Sequence, residues 1–271
     1  MPGTPFGGDS AAMRDGPLSG RHAVVTGAAG GIGGAIAAEL ARLGAELTLM
    51  GRTQATLEAR REALGGGDRT RAVAVDVSDP DSVRRAFACA REALGPPAIL
   101  VNGAGIAESA PFARTDLAMW RRILDVDLTG AYLCIRETLG DAVAAGWGRV
   151  INVASTAGLR GGRYISAYCA AKHGLVGLTR ALALETAGTG VTVNAVCPGY
   201  ADTPMTQRTI ANIVATTGRT PEQARTALER ASPLGRLIAP TEVAQAVGWL
   251  CLPTSAAITG QAIVVAGGEV T

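Results

Sequence analysis

Seven short apolar runs recur along the chain, at residues 22–26, 46–50, 72–76, 98–102, 149–154, 191–196 and 262–266, with helix-length segments between them. This alternation constrains the fold more than any other feature. The runs are nearly continuous in apolar residues, as strands buried on both faces must be. Strand and helix in regular succession predict an α/β fold, a doubly wound sheet of about seven parallel strands with helices on both faces. Residues 32–43 have helical spacing, and a second helix runs to about residue 64. In such a sheet a ligand lies beyond the carboxyl ends of the strands, where the strand order reverses. The glycines and polar residues just after the runs are therefore the first place to look for a site.

With 271 residues and 48% hydrophobic content, the chain can bury a large core in one domain, expected over residues 19–271. Residues 1–18 are rich in Gly, Pro and Ser without periodicity and read as a flexible tail. Residues 203–236 are polar, helical in propensity and inserted before the last helix, which makes them a candidate lid. A net charge of +2 without any Lys/Arg-rich block argues against a nucleic-acid partner. The five cysteines are scattered through apolar segments, have no Cys-x-x-Cys spacing and are odd in number, so they read as reduced core residues and not as metal ligands. No charged-then-apolar leader appears, nor any run of the roughly 18 apolar residues that a membrane span needs. A cytoplasmic protein without membrane partners is expected.

The string Thr26-Gly27-Ala28-Ala29-Gly30-Gly31-Ile32-Gly33 follows the first strand and opens the first helix. Glycines there let the backbone turn sharply and approach a pyrophosphate resting on the free amides of the helix N-terminus. Gly27, Gly31, Ile32 and Gly33 are thus candidate cofactor contacts. After the second strand the chain has Gly51-Arg52-Thr53, where a carboxylate would bond a ribose 2′-hydroxyl. An arginine there suits a 2′-phosphate instead, so NADP(H) is preferred, with NAD(H) the alternative. Asp76 and Val77 after the third strand suit an adenine edge and an apolar wall. Asn102, Gly103, Ala104 and Gly105 end the fourth strand in a small-residue turn beside the cofactor. Finally, Tyr168 and Lys172 stand four residues apart on one helical face, an arrangement for moving a proton, with Ser155 thirteen residues ahead of the tyrosine.

The ordered set resembles the short-chain dehydrogenase/reductases from about residue 18 to residue 268. The resemblance rests on the glycine loop, Asn102-Gly-Ala-Gly105, Ser155, Tyr168 with Lys172, and Asn194-Ala-Val-Cys-Pro198-Gly199 leading to Thr203. It implies a Rossmann-like fold and a hydride exchanged with a nicotinamide. Tyr168 is then the general acid in reduction and, as phenolate, the base in oxidation. A free phenol has a pKa of about 10, which Lys172 would bring down while also bonding the nicotinamide ribose. Ser155 would hold the substrate oxygen. Pro198, Gly199 and Thr203 would bond the carboxamide and select the ring face. His173 sits off the catalytic face and reads as packing or a subunit contact. One departure concerns Asp127, which precedes Leu-Thr-Gly where the family usually has asparagine. There it would serve as a relay residue to Lys172 and could also raise the lysine's pKa. Another is Ala266, where aspartate is common and folding or assembly is concerned.

Within the family, the segments around Asn152–Gly158, Ala171–Gly177 and Thr192–Gly199 are most similar to β-ketoacyl reductases. A ketone–alcohol interconversion on a 3-oxoacyl thioester of CoA or acyl carrier protein is the leading expectation. Arg208, Arg219, Arg225 and Arg230 are available to meet a phosphopantetheine phosphate, against the plainer reading of a solvated face. A dehydrogenase of a free secondary alcohol is the second reading, and a cofactor-binding regulator without catalysis is the third. Surplus apolar residues at 120–145 and 166–186 suggest subunit contact, and the resemblance implies a homotetramer, with a dimer as the alternative.

Overall fold

A computed structural model describes residues 16–270. Among them a seven-stranded, wholly parallel sheet has the order β3-β2-β1-β4-β5-β6-β7. Its strands are β1 His22–Thr26, β2 Glu46–Gly51, β3 Thr70–Ala74, β4 Ile99–Asn102, β5 Gly148–Val153, β6 Val191–Pro198 and β7 Ala262–Val265. The helices are α1 Gly31–Arg42, α2 Gln54–Ala63, α3 Pro80–Leu94, α4 Leu117–Leu124, α5 Gly130–Ala144, α6 Ser166–Glu185, α7 Pro204–Thr217, α8 Pro221–Glu229 and α9 Pro240–Cys251. The expected strands are all present. The third begins and ends two residues earlier than its apolar run, because β3 pairs with β2 from Thr70 and, after a last bond from Val75 N to Gly51 O at 2.8 Å, the chain turns at Asp76.

One apolar layer joins α1 and α9 to the sheet through Ile36, Leu40, Val247 and Leu250; the other lies under α3 and α5 around Phe87, Cys134 and Val150. Both faces are therefore covered, which is why the strands read as continuous apolar runs. Leu18, at the end of the expected tail, is fully buried and its amide donates to Leu43 O at 2.9 Å. The folded body thus includes the last of those residues; residues 1–15 lie outside the described part.

Strand order reverses between β1 and β4, which pair Thr26 with Asn102. The crevice expected from the sequence opens above these two ends. The apolar stretch at 120–145 is not one continuous α-helix: α4 passes into α5 through a π-helical turn, Asp125–Thr129. An extra residue in the helical ladder shifts which side chains face inward. Here the turn buries Asp127 to 1% exposure.

Candidate active site

The glycine loop is shaped by close backbone approach. Gly27 has φ +69°, and a Cβ on it would lie 2.6 Å from Gly103 O; a Cβ on Gly103 would lie 2.7 Å from Thr26 O. Thr26 Oγ1 accepts from Gly103 N at 3.1 Å and Ala104 N at 3.2 Å, which locks the two turns together. Helix α1 is preceded by Gly30 at its N-cap, with no side-chain cap and no acid in its first turn. Its end amides and its dipole are therefore directed at the crevice, as an anionic group requires. Thr203 comes close to the same loop: a Cβ on Gly31 would meet its Cγ2 at 2.7 Å. Thr203 also caps α7, accepting from Thr206 N at 3.3 Å.

Arg52 is exposed just beyond β2, with no hydrogen bond or ion pair among the described residues. Asp76 accepts from Ser78 Oγ at 2.6 Å and Ser78 N at 2.9 Å; these bonds, with Arg52 contributing, hold its carboxyl below the usual range. Val77 is buried against Gly130, where a Cβ would meet its Cγ2 at 2.8 Å. Asn102 is buried and donates to Asn152 Oδ1 at 2.8 Å, and Asn152 donates to Thr179 on α6 at 2.9 Å. This polar ladder fixes α6 relative to β4, while Asn102 Oδ1 has no donor. Pro198 ends β6, and Gly199 follows against the C-terminal segment.

Ser155 follows β5 in extended conformation, and its Oγ accepts from Ala157 N at 3.1 Å, opening a tight turn at Thr156–Gly158. A Cβ on Gly158 would lie 2.7 Å from Lys172 O, so only glycine lets this turn rest on α6. Ser155, Tyr168 and Lys172 are thereby brought to one recess. Lys172 is buried; its Nζ donates to Val153 O at 3.1 Å, lies 3.3 Å from Asp127 Oδ2 and stands 5.5 Å from the Tyr168 ring centroid. Burial raises the Tyr168 pKa; Lys172 and Ser155 oppose that rise and Asp127 adds to it. Burial works against the Lys172 ammonium, but the Asp127 and Tyr168 charges outweigh it and the lysine's pKa is raised. His173 is exposed on the outer face of α6, its Nδ1 bonded to Cys169 O at 2.9 Å, away from the recess.

Other site residues had no sequence signal. Glu269, whose side chain is 4% exposed, pairs with Arg160 and accepts from Thr156 Oγ1 at 3.4 Å, so the C-terminal segment braces the Ser155 turn. Arg60 of α2 lies over Gly34 of α1, where a Cβ would come 2.7 Å from its guanidinium carbon. The segment expected as a lid forms α7 and α8, and Asn212 donates to Ser109 Oγ at 2.9 Å beside a recess of about 280 Å³ lined also by Glu108 and Arg208. Of the four arginines of this segment, Arg225 is taken up by Asp202 and Glu229, and Arg219 and Arg230 are exposed. No group of three metal-ligating side chains occurs among the described residues, and no helix there is long and apolar enough to cross a membrane.

The arrangement can hold a substrate oxygen at Ser155 and Tyr168, beside a cradle for a dinucleotide. Comparisons with known proteins agree with that chemistry. A family model described as enoyl-(acyl carrier protein) reductase matches residues 27–269. Cis-4-hydroxycyclohexanecarboxylate dehydrogenase of Sinomonas cyclohexanicum is 40% identical over 92% of this chain and 96% of its own. Granaticin polyketide synthase putative ketoacyl reductase 1 of Streptomyces violaceoruber is 40% identical over 91% and 92%. The 3-oxoacyl-(acyl-carrier-protein) reductase of Pseudomonas aeruginosa is 38% identical over 93% and 98%. A crystal structure of an actinorhodin polyketide ketoreductase variant with NADPH superposes with a TM-score of 0.88 at 35% identity, covering 92% of this chain and 97% of that one.

Proposed function

The chain belongs to the short-chain dehydrogenase/reductases, enzymes that oxidise or reduce at a CH–OH carbon, and from that premise we propose that it reduces a 3-oxoacyl thioester with NADPH. The observation that carries the reading is the meeting of Ser155, Tyr168 and Lys172 at one recess beside the glycine loop. The nicotinamide supplies the hydride, and the protein must supply the proton and the geometry. Ser155 donates to the carbonyl oxygen and holds it within reach of Tyr168 Oη. Tyr168 gives that oxygen its proton as the carbonyl carbon is reduced. Lys172, fixed by Val153 O, stabilises the phenolate left behind and bonds the nicotinamide ribose. Gly27, Gly31, Ile32, Gly33 and the free end of α1 hold the pyrophosphate. Asp76 and Val77 flank the adenine, Asn102 to Gly105 line the middle of the crevice, and Pro198, Gly199 and Thr203 fix the carboxamide.

NADP(H) is favoured by Arg52 and by the lack of a carboxylate directly after β2, with Arg60 of α2 adding positive charge over Gly34 of α1. The thioester is favoured by the ketoacyl reductases among the relatives and by a polar entrance carrying Arg208. A second reading, oxidation of a free secondary alcohol, is supported by the hydroxycyclohexanecarboxylate dehydrogenase at the same identity. The intact serine, tyrosine and lysine argue against a regulator without catalysis.

Acetoacetyl-CoA and a panel of free ketones, each with NADPH and NADH, test these readings. Wild type should reduce the thioester, and Tyr168→Phe should lose about 10²–10⁴-fold of that rate. Turnover of free ketones alone would favour the second reading, and no turnover of any ketone would sink both. Arg52→Ala should abolish the preference for NADPH over NADH; an unchanged preference removes Arg52 from the cofactor site.

A further inference from the structure

The π-helical turn places a buried acid beside the proton-handling pair. Asp127 Oδ1 accepts from Ile106 N at 2.8 Å, which fixes the carboxylate under the loop that follows β4. Its Oδ2 accepts no hydrogen bond and lies 3.3 Å from Lys172 Nζ, in ion-pair contact, with the two side chains 0% and 5% exposed. Gly105 leaves this pair room, since a Cβ there would stand 3.2 Å from Oδ2 and 3.5 Å from Nζ. An asparagine in the same place would keep the bond from Ile106 and bring no charge.

The consequence falls on Tyr168. Burial raises the pKa of the Asp127 carboxyl, and the Lys172 ammonium and the Ile106 amide oppose that rise, while the lysine's own pKa is raised by the pairing. The Tyr168 ring lies 5.5 Å from the ammonium, so the carboxylate form of Asp127, in contact with that ammonium, cancels much of the field the phenol would otherwise feel. The phenol then faces a dipole, in a recess whose burial already disfavours the phenolate. The other titratable groups around it do not restore the charge. Cys197 on β6 is pushed up to about 11 by burial and is neutral at working pH. Tyr200 is also raised by burial, Cys169 is the neighbour along α6, and Arg160 is paired with Glu269.

Resting on the proposed dehydrogenase/reductase reading, we infer that Asp127 sets the pH at which this site can work as an oxidising base, by neutralising Lys172 and so keeping Tyr168 a phenol near neutrality. In reduction the carbonyl carbon receives the hydride, the carbonyl π pair moves to oxygen, and that oxygen takes the Tyr168 proton; solvent then reprotonates the phenolate. In oxidation the phenolate must first exist, to take the hydroxyl proton as the carbon gives its hydride to the oxidised nicotinamide. A site held in the phenol form performs the first at neutral pH and the second only at alkaline pH. Asp127 touches neither substrate nor cofactor in this scheme; it is a positioning and charge-setting residue acting through Lys172.

Asp127→Asn is the test, with wild type and the double variant Asp127→Asn/Tyr168→Phe beside it. Acetoacetyl-CoA with NADPH and 3-hydroxybutyryl-CoA with NADP would be followed across pH. Ultraviolet difference titration of the cofactor-free proteins would follow phenolate formation, with the Tyr168→Phe background identifying the Tyr168 signal. The expected result is that the acid limb of oxidation and the Tyr168 titration both move to lower pH in the asparagine variant. With substrates saturating, kcat for oxidation near neutrality should rise several-fold over wild type. Equal loss in both directions, with pH profile and phenolate titration unmoved, would overturn the inference and leave Asp127 a structural acceptor for Ile106. If neither enzyme turns over any ketone, the functional reading fails, while the phenolate titration still decides the role of Asp127.

Discussion

At the scale of single residues the site depends on one missing side chain as much as on those present. Gly158 lets the Ser155 turn lie on the backbone of α6, where a Cβ would meet Lys172 O at 2.7 Å and Lys172 C at 3.0 Å. Backbone cannot yield as a flexible side chain can, so Gly158→Ala must separate the turn from the helix. Overpacking of this kind costs about 1–3 kcal/mol of stability, and a displacement of about 1 Å at reacting groups can cost 10²-fold in rate. The variant should fold, bind NADPH in a fluorescence titration much as wild type does, and lose about 10²-fold in kcat. Wild-type kcat would mean that the turn and helix are not held in register by this contact. Ser155, Tyr168 and Lys172 were legible in the sequence because chemistry fixes their types and helical geometry fixes the spacing of two of them. The contact at Gly158 and the brace from Glu269 were not, because both are tertiary approaches between segments distant along the chain. Asp127 stood out as a residue type, but its contact with Lys172 depends on a turn that periodicity does not encode.

At the scale of elements, the alternation of apolar runs translated almost directly into strands and helices, since a two-sided sheet leaves no polar alternation to mislead. The misreadings lie where ladders bend: at the early end of β3 and at the π turn between α4 and α5. The segment at 203–236 stood out by its polar interruption of the pattern, and its caps explain why it forms helices. Thr203 precedes Pro204, and Thr220 precedes Pro221 with a reciprocal bond from Gln223. What the sequence did not reveal is how α7 is tied to the opposite wall, through Asn212 and Ser109 at 2.9 Å. This contact borders the recess that Glu108 and Arg208 line, and none of Ser155, Tyr168 and Lys172 lines that recess. Asn212→Ala should remove a hydrogen bond worth about 0.5–1.5 kcal/mol. If α7 closes over substrate, KM for the ketone should rise roughly two- to tenfold with kcat nearly kept. A fall in kcat with KM unchanged would instead assign α7 to a step after binding.

At the scale of the whole molecule, α5 and α6 cover one face of the sheet and still present apolar and small residues outward. Tyr132 is 43% exposed, Val143 39% and Leu184 80%, and the outer face of α6 also carries Ala170, His173, Gly177 and Ala181. Such a face suits close pairing with the same helices of a second chain, because small residues let backbones approach and a two-fold axis makes the patch self-complementary. The homotetramer that the family resemblance implies, or the dimer that is its alternative, would use this face, and the outward position of His173 suits a subunit contact. Gly177 provides a test that leaves the subunit itself sound. A Cβ there meets nothing within 4 Å, and arginine is a better helix former than glycine by roughly 0.5–1 kcal/mol, so Gly177→Arg should not weaken the folded chain. Placed at the middle of a paired face, however, it would set a bulky charge against its own copy. Light scattering after gel filtration should give four times the 27.4 kDa chain mass for wild type and a smaller assembly for the variant, with the thermal midpoint of the dilute chain no lower. An unchanged tetramer would place the interface elsewhere, and a monomeric wild type would leave this apolar face without the partner proposed for it.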